Sequence, residues 1–205
     1  MEGPVTVAVT GPFASGKSTL VRFLGELPGT ETASADEIVH HLMKNDRRTI
    51  SRIIERFGEG VRGPDGIDRK ALGREVFGDA GALRDLEEIL HPLVRSETDR
   101  RIEASREQVF VVEIPLLFET GRGEDFNFTV AVTVPAERRR AWAQERGLDE
   151  AALRAVETRQ FSGEEKAGHA DVIVQNDGDL DRLREQAEDL GRMISRERGP
   201  YGNLI

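Results

Sequence analysis

The stretch Gly11-Pro12-Phe13-Ala14-Ser15-Gly16-Lys17-Ser18 decides the fold of this chain. It fits G-x-x-x-x-G-K-[ST], a glycine-rich loop whose backbone N–H groups cradle nucleotide phosphates. The flanks agree with that reading. Val5-Thr6-Val7-Ala8-Val9 alternates like a strand, and Thr19-Leu20-Val21-Arg22-Phe23-Leu24 has the pattern of a helix. Gly11 and Gly16 permit backbone angles that a Cβ resists, and Ala14, Ser15 and Thr19 complete the phosphate-facing set. The helix opens at the loop, so the positive end of its dipole faces the anion. Lys17 is placed to reach the β- and γ-phosphates of ATP, and the Ser18 hydroxyl to bind Mg2+. The alternative is a glycine-rich turn with a solvated lysine.

Four further strand signals lie outward of this loop. Glu31–Ser34 is short. Val109–Ile114 and Phe128–Val134 are apolar, β-branched runs, and Val172–Val174 is the last. Helical patterns separate them, which predicts βαβ units around a parallel sheet. From Asp36 to Arg106 no strand is evident. Helices are expected at Asp36–Lys44, Arg47–Phe57, Arg69–Phe77, Leu83–Leu90 and Pro92–Arg106, with a glycine-rich loop at Gly58–Gly66. His91-Pro92 reads as a helix boundary, because the residue before proline leaves the α region. The fold class expected is α/β: a three-layer α/β/α P-loop NTPase fold with a five-stranded parallel sheet, a helical substrate-binding insertion and a helical lid. Residues 1–35, 107–135 and 169–198 form the core, 36–106 the insertion, 136–168 the lid and 199–205 a frayed tail.

Composition narrows the function classes. The 205 residues include no cysteine, so there is no disulfide, thiolate metal site or cysteine nucleophile. A formal net charge of −9 argues against nucleic acid as a partner. No apolar run approaches the ~18 residues of a membrane span. Met1-Glu2-Gly3-Pro4 has no basic region and leads straight into a strand, so a cytoplasmic protein is expected. The sequence does not fix the oligomeric state.

Other residues suit phosphoryl transfer. Asp36 follows the second strand, where parallel sheets point toward their ligands, and a carboxylate there is placed to take a proton from an attacking hydroxyl. It also reads as the N-cap of the next helix. Glu113 ends the third strand, a position for an acid that holds magnesium, or simply a charged strand end. Arg138, Arg139, Arg140 and Arg146 fall on one expected helix and Arg159 on the next. A guanidinium fork there would stabilise charge on a transferred phosphoryl group. The same residues also read as a solvated face. His40-His41 cannot share one helix face and has no zinc spacing.

At this point the order of motifs resembles the dephospho-CoA kinase family, over residues 5 to 190. The resemblance rests on Ser34-Ala35-Asp36, on Asp68-Arg69-Lys70-Ala71-Leu72 with Val76-Phe77, and on Leu90-His91-Pro92-Leu93-Val94. The segment Glu113-Ile114-Pro115-Leu116-Leu117-Phe118-Glu119 is the most specific; Gln160, Glu164-Glu165-Lys166, Ala170-Asp171 and Asn176 complete the series. The resemblance implies ATP-dependent phosphorylation of the ribose 3′-hydroxyl of dephospho-CoA. It implies Asp36 as base, and Arg69, His91, Leu116 and Glu119 with Asp36 as substrate-binding residues. It also implies Asn176 near the adenine of ATP and an arginine-bearing lid over the phosphates, for which Arg140 is the residue chosen here, beside Lys17 and the Mg2+ held by Ser18 and Glu113.

Four positions depart from the family pattern. Pro12 stands where a second glycine is usual, and Ser34 replaces an aspartate. The lid arginines of the family fall on Ala141 and Val156, so Arg140 is one residue out of register, a rotation of about 100° on a helix. The rival readings are a kinase of another small metabolite and a nucleotide-binding paralogue without turnover.

Overall fold

The computed structural model describes residues 3–145, 147, 153–154 and 157–197. Chain contacts divide it into two compact units: Ser34–Ala104, and the described residues on either side of that segment.

The flanking unit is built on a five-stranded sheet in the order β2-β5-β1-β6-β7. Its strands are β1 (Val5–Thr10), β2 (Thr30–Ser34), β5 (Val109–Glu113), β6 (Phe128–Thr133) and β7 (Val172–Gln175). β1 pairs in parallel with β5, Val7 opposite Val111, and with β6, Val9 opposite Val130; β6 pairs in parallel with β7. The central strands are apolar on both faces because both faces are covered. Helices α1 (Lys17–Gly25) and α8 (Leu180–Glu197) pack Leu20, Leu24, Leu183 and Ile194 against Val7, Val9, Val130 and Val132. Gly191 lets α8 approach closely, since a Cβ there would lie 2.4 Å from Leu27 Cδ1. Helices α6 (Ala136–Glu145) and α7 (Gly163–His169) come from the arginine-rich region. The expected core boundary at Arg198, the tail 199–205 and Arg146 lie outside the described residues. Arg159 sits in a turn, not on the helix expected for it.

The unit Ser34–Ala104 contains α2 (Ala35–Asn45), α3 (Arg47–Phe57), α4 (Arg69–Val76) and α5 (Ala80–Ala104). Two expectations need correction here. The loop at Gly58–Gly66 holds a 3-10 turn, Glu59–Val61, and a small hairpin, β3 (Arg62–Gly63) with β4 (Gly66–Ile67). Pro64-Asp65 makes the turn, and Gly66 follows at φ 109°, where a Cβ would meet the Met43 carbonyl at 2.5 Å. Strands of two residues leave no periodic signal. Second, α5 runs through His91-Pro92 without a break. Proline inside a helix costs about 3 kcal/mol. Leu86, Ile89, Leu90, Leu93 and Val94 nevertheless form one i, i+3, i+4, i+7, i+8 stripe across it. Leu86, Ile89 and Leu90 bury against Ile53 and Val61, and Val94 against Ile38 and Leu42. Each buried aliphatic side chain contributes about 1.5–3 kcal/mol, so keeping both halves in one register outweighs the proline.

Candidate active site

The phosphate loop leaves β1 at Thr10 and enters α1 at Lys17. Gly11 has φ 151°, and a Cβ there would meet the Val132 carbonyl at 2.5 Å. Gly16 caps α1 in the left-handed region at φ 94°. The sequence reading missed that Ala14 is also left-handed, at φ 57°. Its neighbours explain the tolerance: Phe13 and Ala14 pack with Trp142, Ala143 and Leu153, so the arginine-rich region lies against the loop. Pro12 does more than remove an N–H. Its carbonyl accepts from Lys17 Nζ at 3.0 Å and from Ser15 N–H at 3.3 Å, which curls the loop. Lys17 and Ser18 open α1, so the positive end of the helix dipole faces the loop.

Two further features suit an anion and a cation. Ser15 is fully buried, and its Oγ has no hydrogen-bond partner among the described residues, beside the backbone that would take phosphate. Ser18 Oγ donates to Glu113 Oε1 at 3.2 Å, and Glu113 is itself buried. A hydroxyl and a carboxylate are hard oxygen donors of the kind magnesium takes alongside substrate phosphates. No cluster of three or more His, Cys, Asp or Glu able to hold a metal occurs among the described residues.

Asn176 is buried and its Nδ2 donates to the Ser15 carbonyl at 2.9 Å. It braces the phosphate loop from β7. Glu119 is held by Lys166, with Nζ to Oε1 at 2.7 Å, and accepts the Phe161 N–H at 2.7 Å; its Oε2 is buried without a partner among the described residues. Burial pulls the Lys166 ammonium below the usual lysine range, and Glu119 partly offsets it. Leu116 is half-buried. On α6, Arg138 donates to the Gly178 carbonyl and Arg139 pairs with Glu157, whereas Arg140 is exposed.

Asp36, Arg69 and His91 belong to the other unit. Asp36 is exposed in the first turn of α2, where the helix dipole favours a carboxylate. The N-cap is Ser34, not Asp36, and it makes no side-chain capping bond. Arg69 opens α4 beside His40, Nη1 to Nδ1 at 3.3 Å. His91 is exposed on α5, off the buried stripe.

A parallel sheet with a glycine-rich loop after its central strand, and a Lys-Ser pair opening the next helix, defines a phosphate-loop nucleotide-binding protein. A shikimate kinase from Acinetobacter baumannii, 15% identical, shares that fold, with a TM-score of 0.56. The chain belongs to the dephospho-CoA kinase family, whose model matches residues 5–182. It is 43% identical to the dephospho-CoA kinase of Symbiobacterium thermophilum over 89% of this chain and 78% of that one. Among solved structures, dephospho-CoA kinase from Campylobacter jejuni is 27% identical with a TM-score of 0.65, covering 93% of this chain and 97% of the other. No helix among the described residues is long and apolar enough to cross a membrane.

Proposed function

We propose that the chain transfers the γ-phosphoryl group of ATP to the ribose 3′-hydroxyl of dephospho-CoA. The observation that carries this reading is the phosphate loop with Lys17, Ser18 and Glu113 in contact range, in a chain of the dephospho-CoA kinase family. The 3′-oxygen attacks the γ-phosphorus in line, and the bond from that phosphorus to the β,γ-bridging oxygen breaks, releasing ADP. Asp36 accepts the proton of the attacking hydroxyl. Lys17 leaves the Pro12 carbonyl for the β- and γ-phosphates, and the loop N–H groups hold the β-phosphate. Ser18 and Glu113 are the residues that would hold Mg2+, which when bound neutralises phosphate charge. Arg140 is the lid arginine assigned to the phosphates, because Arg138 and Arg139 already have partners. Arg69, His91, Leu116 and Glu119 are assigned to the acceptor, and Asn176 to the nucleotide side through its hold on the loop.

The test follows ADP and CoA by mass spectrometry with Mg-ATP and dephospho-CoA. Wild type is expected to form CoA. Asp36→Asn should lower kcat by about 10²–10⁴-fold, the contribution of a positioned base. A kcat within a few-fold of wild type would remove the base assignment, and ATP binding with no CoA formed would remove the reading.

A further inference from the structure

Lys166 is a fully buried lysine in the nucleotide-binding unit. Lysine is almost never placed so unless it is paired. Its ammonium has three donors and three acceptors: Glu119 Oε1 at 2.7 Å, the Pro115 carbonyl at 2.7 Å and Thr10 Oγ1 at 3.5 Å. Thr10 Oγ1 in turn donates to the same Pro115 carbonyl at 3.2 Å. These acceptors share one place in the fold. Thr10 is the last residue of β1, directly before Gly11. Pro115 lies two residues past Glu113, the end of β5. Between them, Ile114 N–H donates to the Val9 carbonyl at 2.9 Å. Lys166 therefore ties the exits of both central strands to α7, the helix that follows the arginine-rich region.

A buried ion pair is a weak source of stability, because desolvation offsets the attraction. Alignment is the stronger account of this one. We propose that Lys166 is a positioning residue for phosphoryl transfer, holding the exits of β1 and β5, and with them the phosphate loop and Glu113, in one geometry. The proposal rests on the phosphotransferase reading above. Lys166 acts through the Pro115 carbonyl and the Thr10 hydroxyl, not on the reactants. Misplacement of reacting groups by about 1 Å can cost 10²-fold in rate, so a small slip between the two strand exits suffices.

The test is Lys166→Met, which keeps side-chain length and removes all three donors. That variant leaves Glu119 buried without its cation, so E119Q/K166M is prepared as well and read against E119Q. Each is assayed with Mg-ATP and dephospho-CoA well below its unfolding temperature. Expected for K166M is a kcat at least about tenfold lower, with the acceptor KM changed less than about threefold. The double variant should regain thermal stability lost in K166M yet stay about tenfold below E119Q in kcat. A lysine that serves the fold alone gives another pattern: kcat of the double within about twofold of E119Q, or of K166M within about twofold of wild type. Either result overturns the proposal. Titration with a fluorescent ATP analogue separates the two readings. If wild type forms no CoA, the reaction assignment fails, and the strut is judged on analogue affinity. K166M should then bind at least about fivefold more weakly, and equal affinity overturns it.

Discussion

The two units of this chain are stabilised differently. In the sheet unit Val7, Val9, Leu20, Val111, Val130 and Val132 are all at 0% exposure. In the helical unit Ile38, Ile53 and Val61 reach that level, but Met43, Ile67, Leu86, Ile89 and Leu90 stay between 6% and 9%. Its only strands among the described residues are two residues long. Charges differ in one respect. Both units carry partly exposed pairs, Arg22–Glu26 and Arg192–Asp189 in the sheet unit and Arg56–Asp85 and Arg62–Glu59 in the helical unit, but the sheet unit also buries Lys166 with Glu119. From this contrast the phosphate loop is expected to stand on the more rigid support, and the residues assigned to the acceptor in α2, α4 and α5 on one that opens at lower free energy.

The largest test of that contrast is a pair of core truncations. Leu20→Ala in α1 should lose about 3–5 kcal/mol, because the packed sheet cannot collapse around the cavity. Leu90→Ala in α5 should lose about 2–3 kcal/mol, at the low end for leucine. Urea unfolding followed by circular dichroism gives both values. Equal losses would break the contrast. Hydrogen exchange that protects α5 as strongly as β1 would break it as well.

A smaller effect is expected where the loop meets its brace. A Cβ on Gly16 would lie 2.2 Å from Asn176 Nδ2, at φ 94°. Gly16→Ala must therefore both displace Asn176 and adopt a left-handed angle, the second costing about 1–2 kcal/mol. A fluorescent ATP analogue should bind about tenfold or more weakly, the equivalent of about 1.4 kcal/mol. Removing the obstacle in G16A/N176A should restore part of the affinity and not all, since the angle remains. Full restoration would make Asn176 the whole obstacle, and unchanged binding in G16A would show the loop free to adjust.

How much of this was legible follows from the range of each interaction. The phosphate loop was readable because its parts lie within eight residues and are dictated by local backbone angles. Strands β1, β5 and β6 were readable from β-branched runs that bury both faces, whereas β2 and β7 gave shorter signals because most of their residues are exposed or half-buried. Ala14 escaped because its left-handed angle is supported by Trp142 and Ala143, far along the chain. Lys166 was visible only as part of a motif. Nothing local marks a lysine as buried when its acceptors are Thr10, Pro115 and Glu119. Pro92 misled for the reverse reason: the local rule for a helix end was sound, and the stripe from Leu86 to Val94 overrode it. Asp36 came within two residues of its expected role as a cap, because strand and helix meet there without a loop.

The smallest effect probes the helical unit through its charges. On α5, Glu97 faces Arg100 at 2.7 Å and Arg101 at 2.9 Å. The Arg100 guanidinium first, and Arg101 with it, hold the Glu97 carboxyl down at about 2 from an ordinary 4.5. A carboxylate lowered on folding stabilises the native state fully above its unfolded value. That contribution disappears as pH falls from about 4.5 through about 2. Glu97→Gln should therefore be less stable than wild type near neutral pH, by under about 1 kcal/mol for partly exposed pairs. The two should converge across that acid window in melting temperatures measured against pH. High salt should narrow the neutral-pH gap too, since screening weakens such pairs. A gap that stays constant from neutral to acid pH would mean that Glu97 contributes by packing its stem. The helical unit would then resemble the sheet unit more closely than its exposed ion pairs suggest.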